Sequence, residues 1–136
     1  MTAFLNKIKM GTEILSGRKI LIVEDDSSSR LYLNKILEKY GVIILNAGDG
    51  SEAFDIVMNN PDLDIVLMDI QLPGMDGYDT TIKIREVRPE IIIIAQTAYG
   101  LLTEREKITE AGFNDFIIKP ILSKNLIEKL LSNLKS

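Results

Sequence analysis

From residue 19 onward, apolar runs of strand length alternate five times with segments whose apolar residues recur at helical spacing. No other feature limits the chain so strongly. The runs fall at residues 20–23, 42–45, 64–69, 91–96 and 116–118. Between them, Leu33, Ile36, Leu37 and Tyr40 repeat helically up to Gly41, a glycine suited to a helix end. Residues 50–59 predict a second helix with Ala53, Ile56 and Val57 inward and Pro61 beyond its end. A third helix follows the turn-rich loop 71–77 and stops near residue 87, where Arg88-Pro89 disfavours helix. Thr103-Glu104-Arg105-Glu106 matches a capping box that would open the fourth helix, with Gly112 after its end. Ser123 would cap the fifth, which carries Leu126, Ile127, Leu130, Leu131 and Leu134.

Strands that are apolar on both sides must be covered on both sides, and parallel strands need crossovers of helix length. Five such units therefore predict an α/β domain, a parallel sheet with helices on each face. In sheets of this kind ligands bind at the carboxyl ends of the strands.

Composition removes much chemistry. The 136 residues include no cysteine and no histidine. A disulfide framework, a thiolate metal site, a Ser-His-Asp triad and an imidazole base are all excluded. Carboxylate, hydroxyl, amine and backbone chemistry remain. The net charge is -4, and the first 18 residues hold three basic side chains against one acid, so the acidic excess lies in the globular part. That argues against direct nucleic-acid binding. No apolar run approaches the roughly 20 residues that span a bilayer, so a soluble domain without membrane contact is expected. Residues 1–18 form an N-terminal extension or linker in this reading, and residues 19–136 the domain. Met1, Phe4, Leu5 and Ile8 make a short apolar stripe, but the stretch from Gly11 to Gly17 favours a linker over an amphipathic helix. Lysines interrupt the stripe and no small-residue cleavage site follows, so it is not a signal peptide.

The strand ends deliver Glu24, Asp25 and Asp26 after the first run, Asp69 after the third, Thr97 and Ala98 after the fourth and Lys119 after the fifth. Taken singly, each has a plain explanation. Asp26 before three serines is a helix cap, Asp69 a turn former, Thr97 a backbone partner and Lys119 a solvated charge. Jointly they are carboxylates converging in one cleft, which repel and require cations. Glu24, Asp25 and Asp69 would be neutralised by one hard divalent ion and Lys119, leaving a site able to accept a phosphoryl group.

At these residues the chain resembles the receiver domain of two-component response regulators. ILIVEDD at 20–26, VLMDIQLPGMDGYD at 66–79, QTA at 96–98 and AGFNDFIIKPI at 111–121 occur in order. The resemblance implies a flavodoxin-like, doubly wound (βα)5 fold with a five-stranded parallel sheet in the order 2-1-3-4-5. It implies that Asp69 takes a phosphoryl group from a partner phosphohistidine, forming an aspartylphosphate in a cytoplasmic phosphorelay. Asp25, Asp69 and the Gln71 carbonyl would hold Mg2+, with Glu24 acting through a bound water. The Thr97 hydroxyl and Ala98 N–H would receive phosphoryl oxygens, and Lys119 would pair with the phosphoryl group across a cis Lys119-Pro120 bond. Thr97 and Phe116 would switch the face made by the fourth helix, fifth strand and fifth helix of the βα units, and Gln71 and Tyr99 would tune dephosphorylation. Implied partners are a histidine kinase or histidine phosphotransfer protein, a downstream protein on the switched face and a phosphorylation-dependent second copy. With no histidine of its own, the chain cannot supply the phosphodonor.

Three other functions fit less well. An aspartyl-phosphate phosphohydrolase of the haloacid-dehalogenase type needs a second aspartate where Gln71 stands, so an enzyme with turnover is not expected. A nucleotide or flavin site needs a glycine-rich loop where Glu24-Asp25-Asp26 stands. A degenerate receiver would not keep every polar position. A stand-alone regulator and the receiver of a hybrid sensor kinase remain equally open.

Overall fold

The computed structural model describes residues 2–134, apart from the side chains of Thr2, Phe4, Lys7 and Ile8. Met1 and the side chains of Phe4 and Ile8 in the N-terminal stripe thus lie outside what the structure describes. Five strands, β1 (Lys19–Val23), β2 (Ile43–Ala47), β3 (Ile65–Asp69), β4 (Ile92–Thr97) and β5 (Asp115–Ile118), form one sheet in the order β2-β1-β3-β4-β5. All four pairings are parallel, as the apolar runs predict.

Alternate residues of each strand enter opposite cores because successive side chains point to opposite faces. Leu21, Val23, Val66, Met68, Ile93 and Ala95 pack under α3 (Gly50–Asn59), α4 (Gly77–Val87) and α5 (Leu102–Ala111). Ile20, Ile22, Ile65, Leu67 and Ile94 pack under α2 (Ser27–Glu38) and α6 (Ser123–Leu134). This two-sided burial explains why the strands read as continuous apolar runs. Among the described residues, no helix is long and apolar enough to cross a membrane.

Residues 2–15 form a helix, α1 (Thr2–Leu15), where the glycines favoured a linker. A mid-helix glycine costs about 1 kcal/mol relative to alanine, but Gly11 has a packing role. A β-carbon there would stand 3.0 Å from Tyr40 Cε1, so the glycine lets α1 approach the Tyr40 ring. Leu15, 0% exposed, enters the α2/α6 core, and apolar burial of this kind outweighs the propensity cost.

Several helix and strand boundaries differ from expectation, most by a single residue. The β2 ladder starts one residue later and runs two further, because Asn46 and Ala47 still pair with Ile22 and Val23. Asn46 also exchanges amide hydrogen bonds with Asn34 on α2, at 3.1 and 3.2 Å. Gly41, with φ +72°, turns the chain after α2, but the residue closing that helix is Lys39. The capping box does not form. Helix α5 begins at Leu102 behind Leu101, which makes no side-chain cap bond, so Thr103 lies inside the first turn. Gly112 closes the same helix in the left-handed region, φ +100°.

Candidate functional site

Parallel strands bring their carboxyl ends to one edge, so residues far apart in sequence meet there. Asp69 is the last residue of β3 and Thr97 the last of β4, while Glu24 and Lys119 directly follow β1 and β5. Glu24 and Asp69 are buried and Asp25 is exposed, and a carboxylate oxygen from each lies within 4.8 Å of the others. The Lys119 ammonium donates to Asp69 Oδ2 at 3.0 Å and to Glu24 Oε1 at 3.4 Å. The Gln71 N–H donates to Asp69 Oδ1 at 3.0 Å, which fixes the carboxylate from its other side.

Two helix starts frame this cluster. Asp26 caps α2, accepting from the Ser29 N–H and hydroxyl at 2.8 Å each, as the bland reading of that residue expects. These bonds hold its carboxyl below the usual aspartate range. At the start of α4, a β-carbon on Gly77 would overlap the Asp69 carbonyl oxygen. Only glycine lets this helix start against the Asp69 backbone, where the Gly77 N–H bonds the Ile70 carbonyl at 2.9 Å.

The electrostatics show an excess of negative charge. Burial, together with hydrogen bonding and repulsion from Asp69, pushes the Glu24 carboxyl up to about 7, against the lowering pull of the Asp26 N–H and Lys119. Burial works against the Lys119 charge, yet Asp69 and Glu24 outweigh it and hold the ammonium above its ordinary value. One lysine thus neutralises the cluster only in part. An all-oxygen donor set with surplus negative charge fits a hard divalent cation such as Mg2+ and not a thiolate-seeking metal. Beside it opens a cleft of about 750 Å3 lined by Asp25, Gln71, Pro73, Asp76, Tyr78 and Glu104 among others.

Not every expected residue joins the cluster. Thr97 is buried, but its hydroxyl meets the Tyr99 carbonyl at 2.8 Å and the Glu104 carboxylate, while accepting the Tyr99 N–H at 3.1 Å. Ala98 and Tyr99 are exposed. Phe116 lies on β5, its half-buried ring flanked by Arg105 at 5.3 Å and Lys129 at 5.5 Å. The Lys119-Pro120 peptide is cis. Glu104 was not legible as a site residue. An acid in the first turn of a helix is explained by the helix dipole alone, and nothing in the spacing ties it to a threonine seven residues earlier.

Fold and site together define a doubly wound α/β domain with an acidic, lysine-braced centre at its carboxyl edge. The family model described as the response regulator receiver domain matches residues 20–131, and the chain belongs to this family of two-component signalling domains. The sensor histidine kinase GacS of Pseudomonas protegens is 32% identical over 126 residues, 88% of this chain and 14% of that kinase. The chain therefore spans a small part of such a relative. Among solved structures, the CheX-CheY-BeF3-Mg complex from Borrelia burgdorferi matches with a TM-score of 0.82 at 29% identity, covering 87% of this chain and 90% of that one. The co-crystal structure of the Saccharomyces cerevisiae phosphotransfer protein Ypd1 with the receiver domain of Ssk1 matches with a TM-score of 0.79 at 28% identity, covering 85% and 87%. Receiver domains generally bind Mg2+ at an acidic pocket and interact with histidine kinases and phosphotransfer proteins.

Proposed function

We propose that this domain accepts a phosphoryl group on Asp69 from a phosphohistidine of a partner kinase or phosphotransfer protein. The observation that carries the reading is the buried Asp69 carboxylate held between the Lys119 ammonium at 3.0 Å and the Gln71 N–H at 3.0 Å. An Asp69 oxygen forms the new P–O bond while the P–N bond to the donor imidazole breaks, and the departing nitrogen keeps the electron pair. Lys119 offsets charge on the phosphoryl oxygens of a loose transition state, and orientation supplies much of the acceleration. Glu24, Asp25, Asp69 and the Gln71 carbonyl would hold Mg2+, which when bound neutralises further phosphoryl charge. The Ala98 N–H and the Thr97 hydroxyl receive phosphoryl oxygens. No second carboxylate stands two residues after Asp69 to activate water, so the chain acts as a slowly self-resetting signal and not as a turnover hydrolase.

Phosphorylation is read out on the face of α5, β5 and α6, where Phe116 lies between Arg105 and Lys129. A change in that packing is a population shift between two arrangements, offered to a downstream protein or a second copy. Residues 19–136 are the receiver proper and residues 1–18 an extension, and the domain works in the cytoplasm as a relay intermediate or a regulator.

The test is incubation with Mg2+ and acetyl phosphate followed by intact-mass measurement. The expected result is a gain of one phosphoryl group that is absent in Asp69→Asn and without Mg2+. A gain that persists in Asp69→Asn would overturn the assignment.

A further inference from the structure

Thr97 ends β4 with its side chain 3% exposed, so its hydroxyl must find partners inside the protein. Its oxygen accepts the Tyr99 N–H at 3.1 Å, and two acceptors face it, the Tyr99 carbonyl at 2.8 Å and Glu104 Oε1. A hydroxyl has one proton to give. A carboxylate is a stronger acceptor than a carbonyl, so the proton goes to Glu104. Glu104 is available because α5 is not closed by a capping box and Leu101 makes no side-chain cap bond. The Glu104 carboxylate lines the same cleft as Asp25, Gln71 and Asp76, and its charge, after burial, helps raise the Tyr78 phenol above its usual value.

We propose that Glu104 is a positioning residue that holds the Thr97 hydroxyl on α5 and away from Asp69 until a phosphoryl group outcompetes it. The inference rests on the reading of Asp69 as phosphoacceptor. Glu104 and a phosphoryl oxygen want the same proton, so each phosphorylation event must break the Thr97-Glu104 bond. The released carboxylate then has Lys107 near it, one turn along α5 and lining the same cleft. Glu104 accordingly sets the threshold of the switch: the stronger its hold on Thr97, the more phosphodonor is needed.

The test titrates beryllofluoride with Mg2+, a mimic of the acyl phosphate, into the full chain, read by the 15N-1H shifts of the Gln71 and Ala98 amides. Glu104→Ala should lower the half-saturating concentration about tenfold, a change equivalent to about 1.4 kcal/mol. Glu104→Gln, whose amide oxygen is a weaker acceptor, should fall between. Loss of a negative charge near an anion would also tighten binding without involving Thr97, so the decisive comparison is in a Thr97→Ala background. There Glu104→Ala should change little. An unchanged half-saturation in Glu104→Ala, or an equal shift in the Thr97→Ala background, overturns the role of Glu104 and leaves Asp69 as acceptor intact. Failure of the unmutated chain to bind beryllofluoride overturns both.

Discussion

The Lys119 ammonium lies 3.0 Å from Asp69 Oδ2, although Asp69 ends β3 and Lys119 follows β5, strands that are not neighbours. β4 stands between β3 and β5, and adjacent strands are about 4.8 Å apart, so the lysine must cross the end of β4 to reach the acid. Its own N–H bonds the Thr97 carbonyl at 2.7 Å, which ties the lysine to the strand it crosses. The same ammonium meets Glu24 on the far side of β3, so one side chain braces acids from two central strands.

Replacing that ammonium tests the bracing. Lys119→Met leaves Glu24 and Asp69 facing each other without their shared cation. With the lysine side chain 33% exposed, solvent screens part of the loss, and the expected cost is about 1–2 kcal/mol. Urea denaturation should show it in metal-free buffer above pH 7, with Mg2+ restoring part. Uptake of phosphoryl from acetyl phosphate should slow about 100-fold, as when one charge-stabilising donor is removed from a reaction site. Equal midpoints with and without Lys119 would show that the acids do not need it.

The Glu24 carboxyl predicts a pH dependence opposite in sign to that of most surface acids. Its value of about 7 in the fold, against an ordinary 4.5, means that the folded state binds the proton more tightly than the unfolded chain. Stability then falls as pH rises from about 4.5 to about 7 and is flat beyond. Lys119 stays charged across this window and does not contribute to the slope. Glu24→Gln should remove the slope, and saturating Mg2+, which favours the ionised carboxyl, should flatten it. A stability profile of the metal-free protein identical to that of Glu24→Gln would contradict the buried-acid account.

Helix α1 can be tested at the residue that joins it to the core. Leu15→Ala removes a side chain with 0% exposure and should cost about 2–4 kcal/mol in urea denaturation. Met10→Ala, on the exposed side of the same helix, should change stability by less than about 0.5 kcal/mol. If the two substitutions are equally silent, α1 is an appendage and not part of the folding unit.

Tyr99 stands two residues after Thr97 with its ring exposed. If Tyr99 shields the acyl phosphate from water, Tyr99→Ala should shorten the phosphorylated lifetime several-fold. Decay of the intact-mass gain after removal of acetyl phosphate measures this. An unchanged lifetime would leave Tyr99 as loop surface.

Most of the fold is legible in the sequence because burial on both faces of a parallel strand leaves a continuous apolar run, and helical burial leaves a repeat of three and four. Residues 50–59 match α3 at both ends for this reason. Strand ends were less legible. Ladder hydrogen bonds continue through Asn46 and Thr97 without regard to hydropathy, so apolar counting stops short. The polar residues at the carboxyl edge were readable because parallel topology alone gathers them there. Residue pattern thus specified the sheet and its two cores, and put Glu24, Asp25, Asp69, Thr97 and Lys119 at one edge of it.

Contacts between distant segments were a different matter, since they depend on shape and not on period. Gly11 argued locally against helix, and α1 exists because that glycine admits the Tyr40 ring and Leu15 finds a cavity to fill. Glu104 argued locally for a helix cap, yet the path of the loop after Thr97 hands it a buried hydroxyl instead. The shift of Glu24 to about 7 likewise required knowing that Asp69 and Lys119 close over it, because a carboxyl's proton affinity is set by solvent exclusion and neighbouring charge. Local chemistry chose the residues of this site, and folding in three dimensions assigned each of them its partner.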